Sequence, residues 1–190
     1  MTKVILFGDS IFNAYQNGQD TDDLLNAVKG RLGDGYEVEN ISQSGATTKD
    51  VLPKVGNLPK CDILVTEYGT NDAAKGWGLS LYDYQETYEK LIKEAQKVTE
   101  AKHTLVLGPA MPNFDVPEMA ENYSLEGLDD YTDVAERDAG KTNSYFYDLA
   151  HKMEHLQNLP TFLQEDGQHL SKKGISWLAD VLVKEIKGMD

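Results

Sequence analysis

The chain is poor in cysteine, in basic residues and in long apolar runs, and each shortage argues against a class of protein. One cysteine among 190 residues, Cys61, has no partner for an internal disulfide, which argues against a disulfide-stapled secreted scaffold. Lysine and arginine together number 18 against 32 aspartates and glutamates, a formal charge of −14. So acidic a surface repels phosphate backbones and anionic lipid, so neither a nucleic-acid partner nor stable membrane association is expected. No apolar run is long enough to span a bilayer, and the opening run MTKVILF is cut off by Asp9 too early for a signal peptide. Cytoplasmic residence is the expectation. The acidic clusters Asp20-Asp22-Asp23 and Asp129-Asp130 lack the full pattern of a calcium loop and read as solvated turns and helix starts.

What is present suits one domain over residues 1–190. Hydrophobic residues make up 40% of the chain, and no Pro/Gly/Ser-rich linker divides it. Five apolar stretches read as strands: Val4–Phe7, Tyr36–Ile41, Cys61–Glu67, His103–Leu107 and Ser144–Leu149. The second alternates, which suits a strand near an edge, whereas Ile63-Leu64-Val65 suits a central parallel strand. Between them lie helical patterns. Leu24, Leu25, Val28 and Leu32 mark one, ended by Gly33, and Val51 and Leu52 mark a short second before a connector over 53–59. Leu81, Tyr84, Tyr88, Leu91, Ile92, Ala95 and Val98 mark the longest, within Ser80–Lys102. Further helices are expected over Asp129–Gly140, Leu149–Leu156 and Ser171–Lys187. Strands alternating with helices predict an α/β fold, a three-layer α/β/α sandwich around a five-stranded parallel sheet. Cys61, at a strand start, reads as a buried small hydrophobe.

Polar turns follow the strands on the side where open α/β sheets bind ligands. Gly8-Asp9-Ser10 follows the first, Ser42 to Thr48 the second, and Gly69-Thr70-Asn71-Asp72 the third. Ser10 reads two ways, as a nucleophile or as a helix cap. A nucleophilic serine needs a base, and histidine is scarce, with four residues. His103 begins a strand. His151 and His155 share a helix face and could support a metal, but with no acidic third ligand at a familiar spacing they read as surface histidines, and no metal is expected. His169 stands before the last helix with Asp166 three residues earlier, a separation that lets a carboxylate fix the imidazole tautomer. Gly45 permits close backbone approach and Asn71 offers amide donors, so both suit an oxyanion site together with the Ser10 N–H. Each also has a plain reading: Gly45 as a turn, Asn71 as a cap, Asp166 as a turn residue. Residues 110–130 form no clear strand and read as a packed loop, a pocket wall or a lid. Asp9, Met111, Phe114 and Met119 are the pocket candidates.

Taken in order, these turns resemble the four blocks of the GDSL, or SGNH, family of serine esterases and acylhydrolases. Gly8-Asp9-Ser10 resembles the first, Asn40 to Thr47 (NISQSGAT) the second, Gly69-Thr70-Asn71-Asp72 the third, and Asp166-Gly167-Gln168-His169 the last. The resemblance implies a flavodoxin-like sandwich with strand order 2-1-3-4-5. It implies a Ser10–His169–Asp166 triad, an oxyanion hole from Ser10, Gly45 and Asn71, and ester hydrolysis without metal or cofactor. A small-molecule ester of short acyl chain is the expected substrate. Thioester or lysophospholipid cleavage is the enzymatic alternative, and a noncatalytic flavodoxin-like binding domain is the alternative of another class.

Overall fold

The computed structural model describes residues 1–189. Its first strand, β1 (Thr2–Phe7), shows how the chain is layered. Val4 and Leu6 point into one apolar cluster, and Ile5 and Phe7 into another on the opposite face. All four are buried, as a parallel strand covered on both faces requires.

From β1 the chain passes through α1 (Asp23–Leu32) to β2 (Tyr36–Asn40). The short α2 (Thr48–Val51) continues into a 3-10 turn over Leu52–Asn57, where a plain connector was expected. Next come β3 (Ile63–Glu67), α3 (Leu81–Thr99), β4 (His103–Leu107), α4 (Pro117–Asn122), α5 (Leu125–Lys141) and β5 (Tyr145–Tyr147). The chain then runs through α6 (Leu149–Glu154), a 3-10 turn at Leu159–Phe162 and α7 (Lys172–Lys187). The five strands are all parallel, in the order β2-β1-β3-β4-β5. That is the flavodoxin-like order, with β2 at one edge. Helices α1 and α7 pack on one face through Leu24, Val28, Leu178 and Leu182. Helices α3 and α5 cover the other through Tyr88, Leu91, Val134 and Ala135.

Local chemistry sets the helix ends. The Ser80 side chain accepts from the Asp83 N–H and starts α3, and Ser171 does the same for α7 through the Gly174 N–H. Gly33, at φ +79°, ends α1 with its N–H donating to the Lys29 carbonyl. Helix α5 starts at Leu125, ahead of the expected Asp129, because Ser124 accepts from the Gly127 N–H. Residues 110–130 are therefore partly helical. Cys61 is buried, and burial pushes its thiol pKa up, away from thiolate chemistry. Among the described residues no helix is long and apolar enough to cross a membrane.

Candidate active site

Three strand ends and the loop before α7 converge at the carboxyl edge of the sheet. After β1 the chain must turn sharply against β3, and only glycine fits. A Cβ on Gly8 would lie 2.8 Å from the Glu67 carbonyl oxygen and 2.8 Å from the Phe12 ring. The Gly8 N–H donates to the Ser42 hydroxyl (2.9 Å) and its carbonyl accepts from the Gln43 N–H (2.9 Å), tying the first turn to the second. In the turn that follows, the Asp9 carboxylate accepts from the Ile11 N–H (2.8 Å). Asp9 is thus the cap, and the Ser10 hydroxyl is left for another partner.

That partner is His169. Its Nε2 lies 3.0 Å from Ser10 Oγ, and its Nδ1 lies 2.7 Å from Asp166 Oδ2. The other carboxylate oxygen, Oδ1, accepts the N–H groups of Gln168 (2.9 Å) and His169 (3.0 Å). Partial burial works to raise the Asp166 pKa, but the bond from the His169 ring and the two N–H bonds outweigh it and hold the carboxyl below its usual range. An ionised Asp166 fixes the proton of a neutral imidazole on Nδ1 and leaves the Nε2 lone pair facing Ser10. The Tyr15 ring packs against the imidazole at 4.7 Å between centroids.

The loop after α4's preceding strand holds this arrangement from behind. Gly167, at φ +76°, accepts from the Asn113 N–H (2.7 Å), and a Cβ there would meet Val116 at 2.7 Å. Met111 and Met119 are buried in the core, and Phe114 packs against it. Met119 also packs beside Gly167, and none of these three pocket candidates lines the cavity over Ser10. Their apolar character made them equally suited to either place. Asp9 lies fully buried beneath the site.

The cavity over Ser10 has a volume of about 350 Å³. Its floor is Ser10, Gly45 and Asn71, and Tyr15, Ser44, Trp77, Gln168 and His169 stand around it. Tyr15, Ser44, Trp77 and Gln168 were not singled out in the sequence. All lie within six residues of a motif residue, and that proximity is the signal that could have found them. A larger concavity of about 720 Å³ runs along β2 from Tyr36 to Glu39, beside Met1 and the end of α1, and shares no lining residue with the cavity over Ser10.

Donors are present at the cavity floor. Among the described residues the backbone N–H groups of Ser10 and Gly45 donate to no protein acceptor. Gly45 holds φ +73°, a conformation natural to glycine. The Asn71 amide donates to Asp9 Oδ2 (2.8 Å) and, by a longer bond, to the Ala46 carbonyl (3.2 Å). Both its protons are engaged, so reaching an oxyanion requires sharing or releasing the longer bond.

Under the floor lies an acidic group that, among the described residues, forms no salt bridge with lysine or arginine. Asp9, Glu67 and Asp72 are all fully buried. Burial raises the Asp9 pKa above the usual carboxylate range, against the bonds from the Ile11 N–H and the Asn71 amide that lower it. Burial, and the Asp9 charge beside it, raise the Glu67 pKa well above the usual carboxylate range. Burial pushes Asp72 up to about 7, despite bonds to its Oδ1 from the Thr48 N–H (2.9 Å) and hydroxyl (2.7 Å).

Residues 6–175 match the GDSL-like lipase/acylhydrolase family. No curated protein matches the sequence. Among solved structures, a lipase/acylhydrolase from Enterococcus faecalis is 26% identical with a TM-score of 0.88, covering 100% of this chain and 97% of that one. A carbohydrate acetylesterase from Sinorhizobium meliloti is 18% identical, TM-score 0.78, with 100% of each chain covered. A catalytic mutant of an acetylxylan esterase from Geobacillus stearothermophilus is 23% identical, TM-score 0.74, covering 97% of this chain and 94% of that one. The last two share the fold. With the family match spanning most of its length, the chain belongs to the GDSL-like lipase/acylhydrolase family and is a serine ester hydrolase of that type.

Proposed function

We propose that Ser10, His169 and Asp166 hydrolyse small carboxylic esters, with a short acyl group, through an acyl-enzyme. The observation that carries this is the hydrogen-bonded line from Ser10 Oγ to His169 Nε2 (3.0 Å) and from Nδ1 to Asp166 Oδ2 (2.7 Å). His169 Nε2 takes the hydroxyl proton as Ser10 Oγ attacks the ester carbonyl carbon. The N–H groups of Ser10 and Gly45 meet the negative oxygen, and the Asn71 amide joins them by releasing Ala46. His169 then gives its proton to the leaving alcohol as the carbon–alkoxide bond breaks. In the second half it takes a proton from water, whose oxygen attacks the acyl carbon, and returns that proton to Ser10 Oγ as the acyl carbon–Oγ bond breaks and the carboxylic acid leaves. Asp166 stays ionised throughout and stabilises the imidazolium. One oxyanion donor contributes about 3–4 kcal/mol to such a barrier.

A short acyl chain is supported by the small cavity and its polar floor. Trp77, about half exposed at the rim, offers a flat face to the alcohol portion. Relatives of this fold that act on acetylated carbohydrates support the same reading.

The test is hydrolysis of p-nitrophenyl esters from acetyl to octanoyl, with labelling by a serine-directed phosphonate. Wild type is expected to favour the shortest esters and to take one label. Ser10→Ala is expected to lose both the label and activity, by about 10⁴–10⁶ in kcat. Full activity in Ser10→Ala would sink the assignment, and a preference for octanoyl would overturn the short-acyl part.

A further inference from the structure

The last turn of α6 carries a group that the ester chemistry does not use. The rings of His151 and His155 stand 4.2 Å apart between centroids. The expectation that no acidic third ligand stands at a familiar spacing passed over Glu154, the residue before His155, and the structure brings it beside them. One ring nitrogen from each histidine and one Glu154 carboxylate oxygen all lie within 4.8 Å of one another. Among the described residues this is the one such grouping of three.

Several features turn this group toward a cation. His155 Nδ1 donates to the His151 carbonyl oxygen at 2.8 Å. With its proton on Nδ1, the ring presents the Nε2 lone pair outward, and a hydrogen bond of this kind orients metal-binding histidines generally. The site also sits where α6 ends, with His155 at the C-cap, and a helix C-terminus carries partial negative charge. Leu149, Ala150 and Met153 anchor the helix in the core, while Asp148 caps its start by accepting the His151 N–H (2.9 Å). That anchoring leaves His151, Glu154 and His155 in water, free to adjust their rotamers. A metal with bonds of about 2.1 Å needs ligand atoms about 3.4 Å apart in tetrahedral geometry, a short closure for exposed side chains.

We propose that His151, Glu154 and His155 form a binding site for a divalent transition metal of the zinc, nickel or copper type, with water completing the coordination. Two nitrogens among three ligands select these ions over magnesium and calcium, which take oxygen. The order H-x-x-E-H also occurs in zinc enzymes. Here the run is exposed, and none of its residues lines the cavity over Ser10. The site therefore binds without catalysing, and it stabilises the folded chain by mass action. It does not depend on the ester chemistry.

Calorimetric titration of tag-free protein with zinc chloride, nickel chloride and magnesium chloride, alongside thermal unfolding, tests the site. The expected result is one equivalent of zinc bound at micromolar concentration, a raised Tm, and no response to magnesium. His151→Ala and His155→Ala are each expected to weaken zinc binding more than about tenfold and to remove the Tm shift. Glu154→Gln is expected to weaken it as well. All three variants should hydrolyse p-nitrophenyl acetate as wild type does. A His169→Ala control separates this site from the Asp166–His169 pair and should keep the bound equivalent. Unchanged zinc affinity in any of the three variants, loss of binding in His169→Ala, or magnesium binding as tight as zinc would each overturn the proposal.

Discussion

Asp9 caps the turn by accepting the Ile11 N–H, while the Ser10 hydroxyl makes its bond with His169. One carboxylate thus resolves the two readings that the tripeptide Gly8-Asp9-Ser10 left open. Asp166 divides its work in a similar way, with Oδ1 holding two backbone N–H groups and Oδ2 holding the ring. Replacing it by asparagine separates these roles. In Asp166→Asn the side-chain oxygen can keep the backbone bonds, but the new N–H₂ faces His169 Nδ1 and demands a lone pair there. The imidazole then carries its proton on Nε2, the wrong nitrogen for accepting from Ser10. A fall of about 10³–10⁴ in kcat is expected. Denaturant unfolding should show a midpoint close to wild type, and a collapsed midpoint would mean that the loop, not the tautomer, had been lost.

At the scale of the elements, short side chains decide where helices begin. Ser80 accepts from the Asp83 N–H at 3.1 Å and donates to the Asp83 carboxylate at 2.9 Å. Ser80→Ala should therefore lower stability by about 1 kcal/mol, read as a shift in the urea midpoint with no change in slope. Its kcat should not move, since α3 lies outside the cavity lining. Strands and helices were legible in the sequence because each has a periodic apolar face. The start of α5 was not, since Ser124 and Leu125 are followed by Glu126, Asp129 and Asp130, and the apolar rhythm strengthens only later. Inward and cavity-facing apolar residues carry the same signal, so Met111 and Met119 could not be told from a pocket wall. The line from Ser10 to His169 could be proposed from motif order, whereas Tyr15, Trp77 and Gln168 stand near the motifs in sequence but are brought against one another only by tertiary closure. Gln168 reaches Tyr123, whose ring meets Trp77 edge-on at 6.4 Å. No local pattern encodes that chain of contacts.

Across the whole molecule, the buried acids beneath the site set how stability responds to pH. Asp72 has its pKa pushed up to about 7 by burial, so the folded state holds its proton more tightly than the unfolded chain does. A raised acid of this kind favours folding fully below its unfolded pKa, near 4 on the ordinary scale, and the advantage is lost as pH rises toward 7. At most about 4 kcal/mol is at stake for one such group. Asp72→Asn keeps an acceptor for the Thr48 N–H and hydroxyl and carries no charge to bury. Its urea stability is expected to fall less steeply than wild type between pH 4 and about 7. Parallel slopes for the two proteins would contradict the assignment.

Ser10 and His169 stand 159 residues apart in the chain yet share one hydrogen bond. A ribosome adding about 5–20 residues each second makes the serine roughly 8–30 seconds before the histidine. Through that interval the proposed nucleophile has no base. The nascent protein is chemically silent toward esters until α7 docks beside α1 and brings the last loop over the first strand.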